Sequence, residues 1–267
     1  THKHTCMTTT EKQIRKEMTI DRLNVVIYEQ AELIADNASD FVEKKIKEAI
    51  NKSGFANIIL ATGSSQFLFL EALKKKEIDW KKITVFHLDE YKDISANHPA
   101  SFRKYLRDRI LNFVNPKKIY FLNGDAVDCE KEMAKYQQSL INHPIDVACI
   151  GIGENGHIAF NDPDEADFND NLLVKLVNLD EACRRQQFTE GWFPSFKAVP
   201  KQAFTLTIPA ILNSKVISCV VPDQRKSKAV FDALTGQIKT SCPASILRTH
   251  PQTTLFLDRD SASKLDI

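Results

Sequence analysis

Two hydrophobic periods alternate along the chain. Residues 147–152, Val-Ala-Cys-Ile-Gly-Ile, form a continuous apolar run of strand length. Comparable runs at 23–29, 57–61, 83–88, 118–122, 172–179, 203–208, 216–221 and 253–257 predict further strands. Between them the spacing changes to helical. Over 31–51 the apolar positions Leu33, Ile34, Phe41, Val42, Ile46, Ala49 and Ile50 fall on one face. Similar spacing predicts helices over 67–76, 100–113 and 127–141, and one ending near Leu234. Strands that alternate with helices call for crossover connections, so the chain is expected to be one α/β domain with a mostly parallel sheet and helices on both faces.

A length of 267 residues suits one large domain or two small ones, but no Pro/Ser/Gly linker divides the chain. The expected division is a polar N-terminal extension over 1–22 and one domain over 23–267, with a lid around 164–196. Lys+Arg total 36 against Asp+Glu 35, a formal net charge of +1, which leaves no field to hold nucleic acid or a membrane surface. Runs such as Lys74-Lys75-Lys76 read as solvated faces. The first residues lack the apolar core of a signal peptide, and no later window has transmembrane length, so the expected location is cytoplasmic. The 6 cysteines show neither Cys-x-x-Cys nor zinc spacing, and Cys149 and Cys219 lie in strand-like runs, where free cysteine behaves as a small hydrophobe.

The chemistry concentrates after the run at 147–152. Gly151, Gly153 and Gly156 are three of only 8 glycines, and Asn155, His157 and Asp162 accompany them. The Gly-x-Gly-x-x-Gly spacing raises dinucleotide binding, but no long apolar helix follows. Histidine titrates nearest neutrality, and a carboxylate five residues on can orient it, which points to proton transfer. Thr62-Gly63-Ser64-Ser65 joins a strand to a helix, an arrangement that offers free N–H groups to a phosphate and equally suits an ordinary serine N-cap. His87 and Asp89 share a strand face as metal ligands would, yet no third ligand is local. Asp89 reads better as a base at the carboxyl end of a parallel strand. Arg184 and Arg185, with aromatic residues at 192 and 193, suit a lid over an anion, and Lys226 at a helix start offers a second cation.

Taken together, Thr62-Gly63-Ser64-Ser65, Phe86-His87-Leu88-Asp89-Glu90-Tyr91 and the stretch from Gly151 to Pro163 resemble the glucosamine-6-phosphate deaminase family, as do the helix after Pro222 and residues 241–250. The resemblance runs over about 23–260. It implies a Rossmann-like fold similar to ribose-5-phosphate isomerase and 6-phosphogluconolactonase. It also implies conversion of glucosamine 6-phosphate and water to fructose 6-phosphate and ammonia, in amino sugar metabolism, with no cofactor and no metal. His157, held by Asn155 and Asp162, would open the sugar ring; Asp89 would move a proton from C2 to C1. The phosphate would sit on Thr62, Gly63, Ser64, Ser65 and Lys226, and Gly153 would lie against the sugar.

The chain departs from the family at four places. Asn155 stands where many members carry aspartate, Asp162 where they carry glutamate, and Gln187 where a lid arginine reaches phosphate, so Arg184 or Arg185 is expected to substitute. Leu172 and Leu173 replace the basic pair of the bacterial allosteric site. Two other readings stay open: a hydrolase of the 6-phosphogluconolactonase type, and a catalytically silent sugar-phosphate-binding protein. The expected partner is a small-molecule sugar phosphate, with a homo-oligomer left open.

Overall fold

A computed structural model describes residues 13–267; the first twelve residues, including Cys6, lie outside it. In chain order the elements are β1 (Ile14–Ile20), β2 (Leu23–Tyr28), α1 (Ala31–Ser53), β3 (Ala56–Leu60), α2 (Phe67–Lys74), β4 (Ile83–His87) and β5 (Asp89–Tyr91). Next come α3 (Phe102–Leu106), which runs through a π turn (Arg107–Leu111) into α4 (Asn112–Val114), then β6 (Lys118–Tyr120), α5 (Cys129–Asn142) and β7 (Val147–Ile150). The remainder is β8 (Val174–Asn178), α6 (Glu181–Thr189), β9 (Gln202–Leu206), α7 (Ile208–Leu212), β10 (Val216–Val221), α8 (Ser227–Leu234) and β11 (Thr253–Asp258).

Eight strands form the main sheet in the order β1-β2-β11-β10-β7-β3-β4-β6. Every neighbouring pair is parallel except β1 with β2. The period-two alternation of each strand divides the core between the two faces. Val25, Ile27, Ile59, Phe86, Ala148, Ile150, Ile217, Cys219, Leu255 and Leu257 pack toward α5, α7 and α8. Val26, Ile58, Leu60, Val85, Cys149, Val220 and Phe256 pack toward α1, α2 and α3. Both faces are covered, as parallel sheets require.

Two features differ from expectation. The extension expected over 1–22 contains β1, which pairs antiparallel with β2 across a tight turn in which Asp21 adopts a positive φ of 51°. Its Ile-Arg-Lys-Glu-Met-Thr-Ile sequence is largely exposed, as befits an edge strand, and therefore carries almost no burial pattern to read. The runs at 172–179 and 203–208 do not join the parallel sheet. They form β8 and β9 of a separate antiparallel sheet, β5-β9-β8.

The second sheet begins where the main one ends. β4 stops at His87, the Leu88 carbonyl accepts the Leu206 N–H (2.9 Å), and Asp89 opens β5 opposite Thr205. His87 is held by Tyr136, whose hydroxyl donates to the His87 carbonyl (2.8 Å), and its ring Nε2 accepts the Leu122 N–H (2.8 Å). His87 is thus committed to structure, and its burial pushes its pKa down to about 3. No helix among the described residues is long and apolar enough to cross a membrane.

Candidate active site

Chain connections run outward from β3 through β4 to β6 on one side, and from β7 through β10 to β11 on the other. The carboxyl ends of β3 and β7 therefore flank the switch point of the sheet, where open α/β folds leave a crevice. Residues after β3, β4, β7 and β10 line a cleft of about 540 Å³ here: Thr62, Gly63, Ser65, Asp89, Gly153, His157 and Lys226 among them.

The loop after β3 turns at Gly63, whose φ of 98° and ψ of 165° belong to a region that residues with a side chain rarely adopt. The Tyr105 hydroxyl donates to the Gly63 carbonyl (2.6 Å) and holds the turn. The first N–H groups of the turn Ser64–Gln66, which leads into α2, have no intrahelical partner and are suited to an anion. Thr62, Gly63 and Ser65 reach the cleft wall as expected; Ser64 is not among the residues lining it. Lys226 enters from the start of α8, 3 % exposed, and makes no ion pair among the described residues. Burial lowers its pKa, partly offset by Glu190 and Glu154. A buried, unpaired ammonium on a cleft wall is a demand for an anion.

The loop after β7 carries His157. Its Nδ1 lies 2.5 Å from Asn155 Oδ1, which also accepts the His157 backbone N–H (3.1 Å). An amide oxygen only accepts, so Nδ1 bears the proton and Nε2 is left as a base. Burial, and then the charge of Lys226, lower the His157 pKa to about 3, so the ring is neutral around pH 7. Asp162 is wholly buried behind it, with Oδ1 3.4 Å from His157 Nδ1 and Oδ2 accepting the Asp180 N–H (3.2 Å). Burial and then the Asp180 charge raise Asp162 to about 7, against the lowering effect of the hydrogen bond from Asp180. Asn155 and Asp162 thus stand behind the histidine and do not line the cleft.

Asp89 faces the cleft from the start of β5, and burial, Glu90 and Asp162 push its carboxyl well above the usual range. Its neighbour Glu90 is anchored: the carboxylate accepts from Ser101 Oγ (2.8 Å), Phe102 N (3.1 Å), Arg103 N (3.1 Å) and Arg103 Nε (3.0 Å). That network fixes the strand on which Asp89 sits. His157, Asp162 and Cys183 bring one donor each within 4.8 Å, a spacing a metal could use. Burial and the nearby carboxylates push the Cys183 thiol well above its ordinary value, which keeps it protonated beside Asp162 in the metal-free protein.

The arginines expected at the lid are placed elsewhere. Arg184 Nη2 donates to the Phe196 carbonyl (3.4 Å) and the Val199 carbonyl (3.1 Å), and Arg185 pairs with Glu181 (2.7 Å). Both stack on the Phe196 ring. The phase of α6 turns Gln186 and Gln187 to the cleft, with Glu190 just beyond its end. Gln186 and Glu190 were not anticipated, although their spacing of four residues on a helical segment was a signal available in the chain. The same helix docks on the glycine loop: Gln186 Oε1 accepts the Glu154 N–H (2.8 Å).

The model of the glucosamine-6-phosphate isomerases/6-phosphogluconolactonase family matches residues 29–256. A glucosamine-6-phosphate deaminase of Listeria monocytogenes is 36% identical over 226 residues, covering 83% of this chain and 94% of its own length. One of Thermoanaerobacter pseudethanolicus is 32% identical over 248 residues, covering 90% and 94%. Among solved structures, a monomeric glucosamine-6-phosphate deaminase superposes with a TM-score of 0.81 at 31% identity over 90% of this chain and 98% of that one. A 6-phosphogluconolactonase from Shewanella baltica shares the fold, with a TM-score of 0.73 at 21% identity over 92% and 99%.

Proposed function

The chain belongs to the glucosamine-6-phosphate isomerase/6-phosphogluconolactonase family, and on that footing we propose that it converts glucosamine 6-phosphate and water to fructose 6-phosphate and ammonia. The observation that carries this choice is that Asp89 and His157 wall the same cleft. Hydrolysis of a lactone needs one base for water. An aldose–ketose shift needs one group to open the ring and another to move a proton between adjacent carbons.

In this reading the phosphate rests on the N–H groups of the turn at 63–65 and on Lys226, which leaves C1 and C2 toward His157 and Asp89. His157 Nε2 takes the proton from O1–H and delivers it to O5 as the C1–O5 bond breaks, giving the open-chain aldehyde. Asp89 removes the proton from C2 while O1 takes up one proton from the adjacent C2 ammonium group, which yields the enolamine. The Asp89 carboxyl then protonates C1, leaving an imine at C2. Water adds to that imine and ammonia departs. The raised pKa of Asp89 makes it the stronger base once ionised. Residues 164–196 act as the lid, through the α6 face that carries Gln186 and Gln187. The free cysteines among the described residues support a cytoplasmic location.

The test is ammonia release on adding glucosamine 6-phosphate, with galactosamine 6-phosphate and 6-phosphogluconolactone in parallel. Ammonia with stoichiometric fructose 6-phosphate is the expected result. Lactone hydrolysis without ammonia would overturn the assignment, and a binding-induced stability shift without any turnover would make the protein a sensor.

A further inference from the structure

Asn155 differs from a carboxylate in one respect that matters to His157: it accepts a hydrogen bond but carries no charge. Its amide is nevertheless not isolated. Oδ1 is fixed by the two His157 donors, and Nδ2 points the other way, donating to Asp180 Oδ2 (3.0 Å). A flipped amide would set NH₂ against both histidine N–H groups, so this orientation is the only one that satisfies all three contacts. Asp180 is itself held, because it caps α6: its Oδ1 accepts the Cys183 N–H (2.7 Å) and its own N–H donates to Asp162.

We propose that Asp180 is the positioning residue for His157, lending it through the Asn155 amide the negative charge that a carboxylate at 155 would carry. The proposal rests on the deaminase reading. An amide whose N–H is bound by a carboxylate has a more negative oxygen and so accepts more strongly, as linked hydrogen bonds reinforce one another. Two consequences follow for the ring: the Nδ1–H tautomer is favoured, keeping Nε2 free, and the imidazolium that forms during ring opening is stabilised. The charged and titratable groups around the ring are Asp162 on its own loop, Lys226 from α8, Asp180 and Cys183 from the start of α6, and Asp89 from β5.

Asp180→Asn keeps an N-cap and removes the charge, and Asp180→Ser keeps the cap with a hydroxyl. Either variant is expected to lower kcat about tenfold or more while KM stays near the wild-type value. With 2-deuterated glucosamine 6-phosphate, the isotope effect on kcat should shrink toward unity as ring opening becomes limiting. In an Asn155→Asp background the loss should be largely abolished, because the charge then sits directly on the histidine. Equal losses in both backgrounds, or unchanged activity, would overturn the proposal. Nitrogen-15 NMR of labelled histidine gives a readout independent of turnover: His157 is expected as the Nδ1–H tautomer, with the other tautomer appearing in Asp180→Asn. If wild type releases no ammonia the deaminase reading fails, and the tautomer ratio alone then decides: an unchanged ratio in Asp180→Asn refutes the coupling.

Discussion

Gly153 and His157 share a space that holds only one of them with a side chain. A methyl group built on Gly153 would fall 1.9 Å from His157 Cε1, while the Gly153 N–H donates to the His157 carbonyl (2.9 Å). The glycine is therefore the floor on which the imidazole lies. Gly153→Ala is expected to displace the ring and cut kcat/KM for glucosamine 6-phosphate by about a hundredfold, the cost of an ångström-scale misplacement. Unfolding temperature, measured in parallel, should change little, because the ring can swing toward the cleft.

Asp89→Asn keeps the size of the side chain and removes the carboxylate. Turnover should fall by about 10²–10⁴-fold while substrate still raises the unfolding temperature. Full ammonia release by this variant would exclude Asp89 from the proton transfer between C2 and C1.

The pH dependence should come from carboxyls and not from the histidine. With His157 lowered to about 3 and Asp162 raised to about 7, kcat/KM is expected to climb with pH through the neutral range, without a histidine limb near 6.5. Stability carries the complementary signature. Asp162 binds its proton more tightly folded than unfolded, so its contribution is complete below its ordinary value of 3.8 and is lost as pH rises through about 7. His157 acts in the opposite sense: its contribution is complete above 6.5 and is lost as pH falls toward 3. Asp162→Asn should therefore unfold at a higher temperature than wild type at pH 8, with the difference shrinking toward pH 5. Parallel melting curves across that range check this.

Phosphate affinity should depend on Lys226 and not on the arginines of α6. Lys226→Gln is expected to raise KM by at least about tenfold, the loss of one charge-assisted contact, without lowering the unfolding temperature, since it removes a buried unpaired charge. Arg185→Ala should leave KM unchanged, its partner being the exposed Glu181. Gln187→Arg, which adds a second cation to the cleft wall, should lower KM.

The anchor beneath Asp89 makes a stability prediction. Arg103→Met removes the guanidinium paired with Glu90, which is 0% exposed, and should cost about 3–5 kcal/mol by leaving a buried carboxylate without its counter-charge. Chemical denaturation measures the loss.

Much of the architecture was legible because burial on both faces of a parallel sheet writes itself as apolar runs: 57–61, 147–152 and 216–221 predicted β3, β7 and β10 closely. Cleft residues were legible where backbone demanded a special residue or where chemistry clustered locally, as at Gly63, Gly153, His157 and Lys226. β1 was not, since an exposed edge strand has no core to satisfy and its charged residues look like a tail.

The sequence by itself determined most of the buried strands and long helices, and which loops carry glycine, histidine and carboxylate, because those are local demands of periodicity and backbone geometry. Tertiary structure alone decided how they meet. The departure of β5 into a second sheet sets Asp89 at the cleft. The phase of α6 turns Gln187 inward and Arg185 outward, and the docking of that helix brings Asp180 against Asn155, twenty-five residues away. Such contacts depend on helix rotation and on which loops the sheet order brings together, and neither is encoded within any single stretch of the chain.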